Sequence, residues 1–562
     1  MTLASLVVLA AVVAQAPARQ AALPRVNPPM PADAGRMART PEPAIRHETG
    51  VAAEEGPADV AVVCPYAFRQ AFEPWLQYRR DQGRRPLIIV GELPAEEIKA
   101  QIAAAYRANP QLSVVIVGDA EPAAEYDKLV RTRSVPTHQA EAKVNVRFGS
   151  EPEIATDNWY GDFDDDGIPE IAVGRLPVDT RIELARLVRR IIDYENSPDF
   201  GPWRRRINFV AGVGNFGAIA DAALENATKT LLTRFLPPAY ESTMTYAGWQ
   251  SPYCPGPALF QQCAVGRFNE GCLMWVYLGH GQRTELDRIY APEGAYPILA
   301  RQDIGTLKAA KQPPLAVFLA CYTGAYDGYE DCLAEEMVCA EGGPIAALCG
   351  SRVTMPYAMS LLGQELMGSY FQEREATLGG LLCKSKQSLM RRPRNTTEAR
   401  QFDALAKLLM PMAADLDAQR HEHLHLFNLL GDPLLRLPHP PAVKLSAPSA
   451  ATAGRQVTIS GATPVAGRAT IEFVVRRDRL TFSPPERDDY DPTPNGLREF
   501  ASTYLQANDG RLASETVDLE EGPFSITLAV PEEARGECHV RLFVEGTSAC
   551  ALGSADVRVS AP

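Results

Sequence analysis

The chain has 11 cysteines but no Cys-x-x-Cys pairs, which excludes a finger-type zinc centre. It has no basic excess. Its 56 Lys and Arg face 69 Asp and Glu, a net charge of -13, so no basic face is on offer for non-specific nucleic-acid binding. No apolar run of spanning length follows the first residues, so the mature chain is expected to lack a stable membrane span. No internal repeat is present, which sets solenoids and propellers aside.

What is present begins with an apolar, small-residue start, Met1 to Ala14, that reads as a secretory signal although no Lys or Arg precedes it. A secreted, cell-surface or periplasmic location is therefore expected. Residues 15–57, rich in Ala, Pro, Arg and Glu, read as a linker or removable propeptide. Export permits disulfides, with Cys538–Cys550 and Cys254–Cys263 as candidate pairs. At 562 residues the chain needs more than one core.

Strand and helix patterns alternate from Val60 onward, which predicts parallel βαβ units in two α/β subdomains, 58–150 and 151–437. One of the predicted helices covers Ala218 to Phe235. Beyond Pro441 the texture changes to short alternating runs, the pattern of an all-β immunoglobulin-like sandwich over 442–562. Within it, Phe482 to Asp509 reads as a long loop.

Two apolar runs end in reactive side chains. They are Cys272-Leu-Met-Trp-Val-Tyr-Leu-Gly-His280-Gly281 and Pro314-Leu-Ala-Val-Phe-Leu-Ala-Cys321. As neighbouring buried strands they would deliver His280 and Cys321 to one sheet edge, where open α/β sheets bind ligands. A thiol needs a base beside it, because the thiolate is the nucleophile. The backbone N–H groups of Gly281 and Cys321 are candidate oxyanion donors. The pattern points to a cysteine hydrolase.

With these motifs stand Asp162-Phe-Asp-Asp-Asp-Gly-Ile-Pro-Glu-Ile-Ala-Val-Gly-Arg-Leu-Pro177, Gly342-Gly-Pro-Ile-Ala-Ala-Leu-Cys-Gly-Ser-Arg352 and Phe427-Asn-Leu-Leu-Gly-Asp-Pro433. Together, over about Val60 to Leu437, the sequence resembles the gingipain-type cysteine peptidases of the caspase-like clan. The resemblance implies a mostly parallel caspase-like sheet flanked by helices, often followed by an immunoglobulin-like domain. It implies an endopeptidase acting on protein or peptide substrates through an acyl-enzyme on Cys321, with His280 as general acid/base and no catalytic cofactor. It also implies that Glu170 is the acid orienting the histidine. The alternative is a calcium-dependent extracellular binding or adhesion protein on a peptidase-like fold.

Asp162, Asp164 and Asp166 alternate before Gly167, the opening of a calcium-binding loop, although Val173 stands where an EF-hand requires Glu. Structural calcium is the expectation there. His421, His423 and His425 are read as structural or surface residues rather than a metal centre. An acid at the floor of a pocket for Arg or Lys would come from Asp179, Glu285, Asp287 or another carboxylate, and the sequence does not choose among them.

Overall fold

The computed structural model describes residues 56–212, 235–392, 396–409 and 415–561. The expected signal segment therefore lies wholly outside the described residues, as do the linker up to residue 55 and the 218–235 helix up to residue 234. No described helix is long and apolar enough to cross a membrane.

Largely buried runs, with the edge strand at Pro86–Val90 as the exception, build one ten-stranded sheet. In chain order its strands are β1 (Val60–Cys64), β2 (Pro86–Val90), β3 (Ser113–Val117), β6 (Ala172–Leu176), β7 (Arg206–Ala211), β8 (Glu241–Tyr246), β9 (Met274–Leu278), β12 (Leu315–Leu319), β13 (Ala346–Gly350) and β14 (Phe427–Leu430). Two small hairpins, β4–β5 (His138–Glu141, Glu153–Thr156) and β10–β11 (Arg288–Ala291, Gly294–Pro297), stand outside it. The sheet order is β2-β1-β3-β6-β14-β13-β12-β9-β7-β8. β14 runs antiparallel to β13, whereas β13, β12, β9, β7 and β8 are mutually parallel. All five residues of β1, β12 and β13 are buried, as expected for strands covered on both faces.

The flanking helices earn their places by apolar faces. Helix Arg181–Glu195 opens with a Thr180/Glu183 capping box and buries Leu184, Leu187, Val188 and Ile191 at helical spacing. Helix Arg69–Asp81 buries Phe72, Trp75 and Leu76 and is pinned by polar groups as well. The Trp75 indole donates to Asp432 at 2.6 Å, and the Arg79 guanidinium bridges Asp432 and Glu195 at 2.6 and 2.9 Å. The Gly431-Asp432-Pro433 motif is thus a structural clamp. An unpaired buried charge there would be costly, which accounts for the two carboxylates around one guanidinium.

The carboxyl-terminal region is a two-sheet β domain with its own core. One sheet contains β15 (Lys444–Ser446), β17 (Gln456–Thr463) and β20 (Gly522–Ala529). The other contains β16 (Ala450–Thr452), β18 (Gly467–Val475), β19 (Arg511–Leu519), β21 (Gly536–Glu545) and β22 (Cys550–Ser560). Two expectations need correction here. The segment read as a long loop carries helix Pro494–Ala507, started by Thr493 as N-cap and Pro494 in the first turn. Its Asn508 cap exchanges hydrogen bonds with both backbone groups of Met244 at 2.7 and 3.0 Å, covering the exposed edge of the ten-stranded sheet at β8. And all 11 cysteines are free, so neither candidate disulfide is formed. Cys538 and Cys550 lie at opposite ends of the β21–β22 ladder, paired with Val557 and Glu545 respectively.

Candidate active site

Register brings the two reactive residues together. β12 and β9 are adjacent and parallel, with Leu319 opposite Leu278, and β7 follows on the far side of β9 with Ala211 opposite Leu278. Cys321 and His280 therefore stand two residues beyond matched positions on neighbouring strands, at the carboxyl edge. The Gly279 N–H donates to Leu319 O at 3.2 Å, tying the turn before the histidine to the strand before the cysteine. Gly281 closes the approach. A Cβ there would sit 2.5 Å from Cys321 O and 2.9 Å from the Thr323 methyl, so only glycine lets these backbones meet. Tyr322, directly after the nucleophile candidate, has φ 56°. That left-handed turn costs a tyrosine about 1 kcal/mol and is held by its N–H donating to Arg352 O.

The Cys321 thiol is half-buried, and burial pushes it up from its ordinary range while hydrogen bonds from Thr354 pull it back. The Thr354 N–H donates to Sγ at 3.3 Å and the Thr354 hydroxyl lies at 3.5 Å. No hydrogen bond joins the imidazole to the thiol; such contacts commonly tighten only with substrate in place. Arg352, whose carbonyl holds Tyr322, pairs with Asp327 through both guanidinium nitrogens, so the loop after Cys321 is braced on two sides. Asp327 is held below the usual carboxylate range by Arg352 against the opposing effect of its own burial.

On the other side of His280 lie Tyr277 and Asp287. The Tyr277 hydroxyl donates to His280 O at 2.7 Å and accepts from the Asp287 N–H at 3.3 Å. Thr354, Tyr277 and Asp287 were not assigned roles by sequence patterns. Thr354 follows a strand end, and Tyr277 lies within a strand that reads as plain core. Asp287 stood out only as one pocket acid among several.

Glu170 is set apart from these groups. It precedes β6, and β14, β13 and β12 intervene before β9, a lateral separation of about 19 Å at about 4.8 Å per strand. Its Oε2 accepts from the Phe163 N–H at 2.7 Å, and the charges acting on it are those of Asp164, Asp162 and Asp166. The residue thus joins the acidic loop instead of the histidine. Oxygens of Asp162, Asp164, Asp166 and Glu170 lie within 4.8 Å of one another. Asp162 Oδ2 accepts from Gly167 N–H at 2.9 Å, whereas Asp162 Oδ1 is buried without a partner. Burial raises both Asp162 and Glu170, and the neighbouring carboxylates add to it. Lys99 pairs with Asp165 of the same loop at 3.0 Å rather than with these four, and such an all-oxygen donor set fits a hard divalent cation.

Asp179 gathers instead with Asp119 and Glu121 in a second acidic group, where burial and Glu121 push it up to about 6. Glu285 is engaged by Arg288 at 2.7 Å. The three histidines do not converge. Helix Leu416–Leu426 carries them, and His423 is buried, accepting from the Met355 N–H at 3.0 Å, with burial lowering it to about 4. His421 is exposed, while His425 approaches Gly167.

No curated protein matches the sequence. Among solved structures, the fold is similar to that of the Arg-specific cysteine proteinase gingipain R (RGPB), with TM-score 0.51 and 16% identity over 90% of this chain and 99% of that one. It is similar too to the complex of Porphyromonas gingivalis RgpB pro- and mature domains, with TM-score 0.50 and 17% identity over 90% and 100%. At such identities the likeness speaks for the fold alone. The sequence itself matches the profile of Peptidase family C25 over residues 53–438, more than half the chain and including both reactive strands. On that match, laid over a gingipain-like sheet, the chain belongs to peptidase family C25.

Proposed function

We propose that the chain is an exported cysteine endopeptidase in which Cys321 attacks the scissile carbonyl and His280 shuttles the proton. The observation that carries this reading is the β12–β9 register, which sets Cys321 beside His280 with Gly281 closed onto Cys321 O. His280 takes the thiol proton as Sγ bonds to the carbonyl carbon, then returns it to the amine as the C–N bond breaks. Water hydrolyses the resulting thioester by the same route. The Gly281 and Cys321 N–H groups, neither of which donates to a backbone carbonyl among the described residues, are the assigned oxyanion donors. Burial alone would keep the thiol protonated, so activation falls to His280 and to the Thr354 N–H, which favours the thiolate.

Alkylation tests this reading. Burial pushes Cys64, Cys254, Cys272 and Cys383 up to about 12, which leaves them inert near neutrality. Iodoacetamide at pH 7 should modify Cys321 roughly tenfold faster than any other cysteine, as read by peptide mapping, and His280→Ala should erase that lead. Equal rates at all 11 sites would sink the reading.

The same proposal assigns structural calcium to Asp162, Asp164, Asp166 and Glu170, supported by their shared approach and the unpartnered Asp162 Oδ1. Chelation should then lower the melting temperature of the Cys321→Ala protein, and added calcium should restore it. Asp164→Asn should abolish the response. A melting curve indifferent to both chelator and calcium overturns the assignment.

A further inference from the structure

An imidazole that relays a proton needs a second anchor on the side away from the nucleophile, to fix its ring and to favour the protonated form. Across the sheet the order β12-β9-β7 puts Cys321 on one flank of His280 and the end of β7 on the other. Glu170 lies beyond Cys321 on the wrong flank, past β13 and β14. The end of β7 is Gly212, and the carboxylate that stands over it is that of Asp287. A Cβ on Gly212 would come within 3.2 Å of both Asp287 Oδ2 and the Tyr277 hydroxyl. Gly279, at φ 152°, makes room for the same hydroxyl, which a Cβ there would meet at 2.8 Å.

The carboxylate is only half used. Asp287 Oδ1 accepts from the Arg288 N–H at 2.8 Å, whereas Oδ2 is buried with no hydrogen-bond partner. The Asp287 backbone is fastened on both sides, its N–H to Tyr277 and its carbonyl accepting from Ile298 N–H at 2.9 Å. Tyr277 in turn holds the His280 carbonyl, so one hydroxyl sets the spacing of histidine and aspartate. Two other charged groups belong to the same segment. Glu285 repels Asp287, and Arg288 is occupied by Glu285. Burial raises the Asp287 carboxyl, and proximity to His280 is the main influence that lowers it. A half-buried carboxylate with one buried, orphaned oxygen near an imidazole is what an orienting acid requires.

We propose that Asp287, through the free Oδ2, is the positioning residue for His280: it receives an imidazole N–H and stabilises the imidazolium formed when Cys321 gives up its proton. This inference rests on the peptidase reading above. It moves the orienting acid from the segment before β6 to the loop seven residues after the histidine itself, and it removes Asp287 from the candidates for a pocket floor.

The test compares Asp287→Asn, Asp287→Glu and Cys321→Ala with the parent, using fluorescein-labelled casein and peptidyl aminocoumarin amides carrying Arg, Lys or Ala before the scissile bond. Asp287→Asn should lower kcat by about 100-fold or more with KM changed less than about threefold, whichever residue precedes the bond. Its kcat/KM profile should move to lower pH, because a less stabilised imidazolium gives up its proton sooner. Asp287→Glu, which keeps the charge, should recover part of kcat. If Asn at this position prevents folding, Asp287→Ser supplies a smaller neutral side chain with the same expected outcome. Unchanged kcat and pH profile in the neutral variant, with Cys321→Ala inactive, overturns this inference alone. A loss confined to KM for Arg and Lys substrates also overturns it, in favour of a pocket acid. Should Cys321→Ala retain turnover, it is the peptidase reading that fails.

Discussion

Cys321→Ala is expected to remove peptidase activity, with kcat falling on the order of 10⁶-fold, about 8 kcal/mol of transition-state stabilisation. The size follows from what is lost. Without Sγ no covalent intermediate forms, and His280 has no proton to take. What survives is the backbone: the Gly281 and Cys321 N–H groups, which still polarise a bound carbonyl for slow attack by water. The fold should barely notice. Among the described residues Sγ meets only Thr354 through hydrogen bonds, its N–H at 3.3 Å and its hydroxyl at 3.5 Å, so the change costs about 1 kcal/mol of stability. Activity on labelled casein and a urea titration of the same preparation separate the two effects. Turnover within tenfold of the parent would be incompatible with an acyl-enzyme on this residue. His280→Ala should resemble Cys321→Ala in kcat, and the double variant should be little worse than either, since the two act as one unit.

The largest stability effect is expected at Arg175, which has no part in the proposed chemistry. Its fully buried guanidinium forms two parallel bonds of 2.7 Å with Asp157 and donates to Gly118 O and Val135 O at 2.9 and 3.0 Å. It also lies over the Tyr326 ring, 5.2 Å from the centroid. One side chain thereby joins β6, the end of β3, the segment before β4 and the loop that follows Cys321. Arg175→Met keeps much of the volume but strands the Asp157 carboxylate in the interior. The expected loss is about 3–5 kcal/mol. Against a typical total of about 5–15 kcal/mol, that is enough to leave much of the protein unfolded in mild urea. Arg175→Met with Asp157→Asn should be more stable than Arg175→Met alone, because the orphaned charge is gone. Measured in the Cys321→Ala background, where self-digestion is absent, an Arg175→Met change below about 1 kcal/mol would contradict this account.

Much of this architecture was legible because its signals are local. Val60 to Cys64, Met274 to Leu278 and Leu315 to Leu319 are unbroken apolar runs of strand length, and a buried strand needs nothing else to declare itself. The glycines around His280 and the Cys321 strand end carried the chemistry in the same way. Helix Pro494–Ala507 was less visible because Phe482 to Asp509 is rich in Pro and Asp. Its stability comes from docking on β8 through Asn508 and Tyr504, contacts about 260 residues away in the chain.

By itself, then, the sequence determined the α/β class with a β domain after it, the two strands that end in His280 and Cys321, and the acidic loop at Asp162. It did so because periodicity, turn residues and side-chain chemistry are properties of short windows. Which acid stands near which group was decided only in three dimensions. Glu170 and Asp287 are both carboxylates beside strands, and nothing in their neighbours distinguishes an acid that shares a loop with other carboxylates from one that shares a hydroxyl with His280. Strand order makes that distinction. By setting β6 four positions from β9, about 19 Å across the sheet at about 4.8 Å per strand, the packed sheet separates Glu170 from the strand that carries His280, whereas the loop after β9 returns Asp287 to the Tyr277 hydroxyl that also holds the His280 carbonyl.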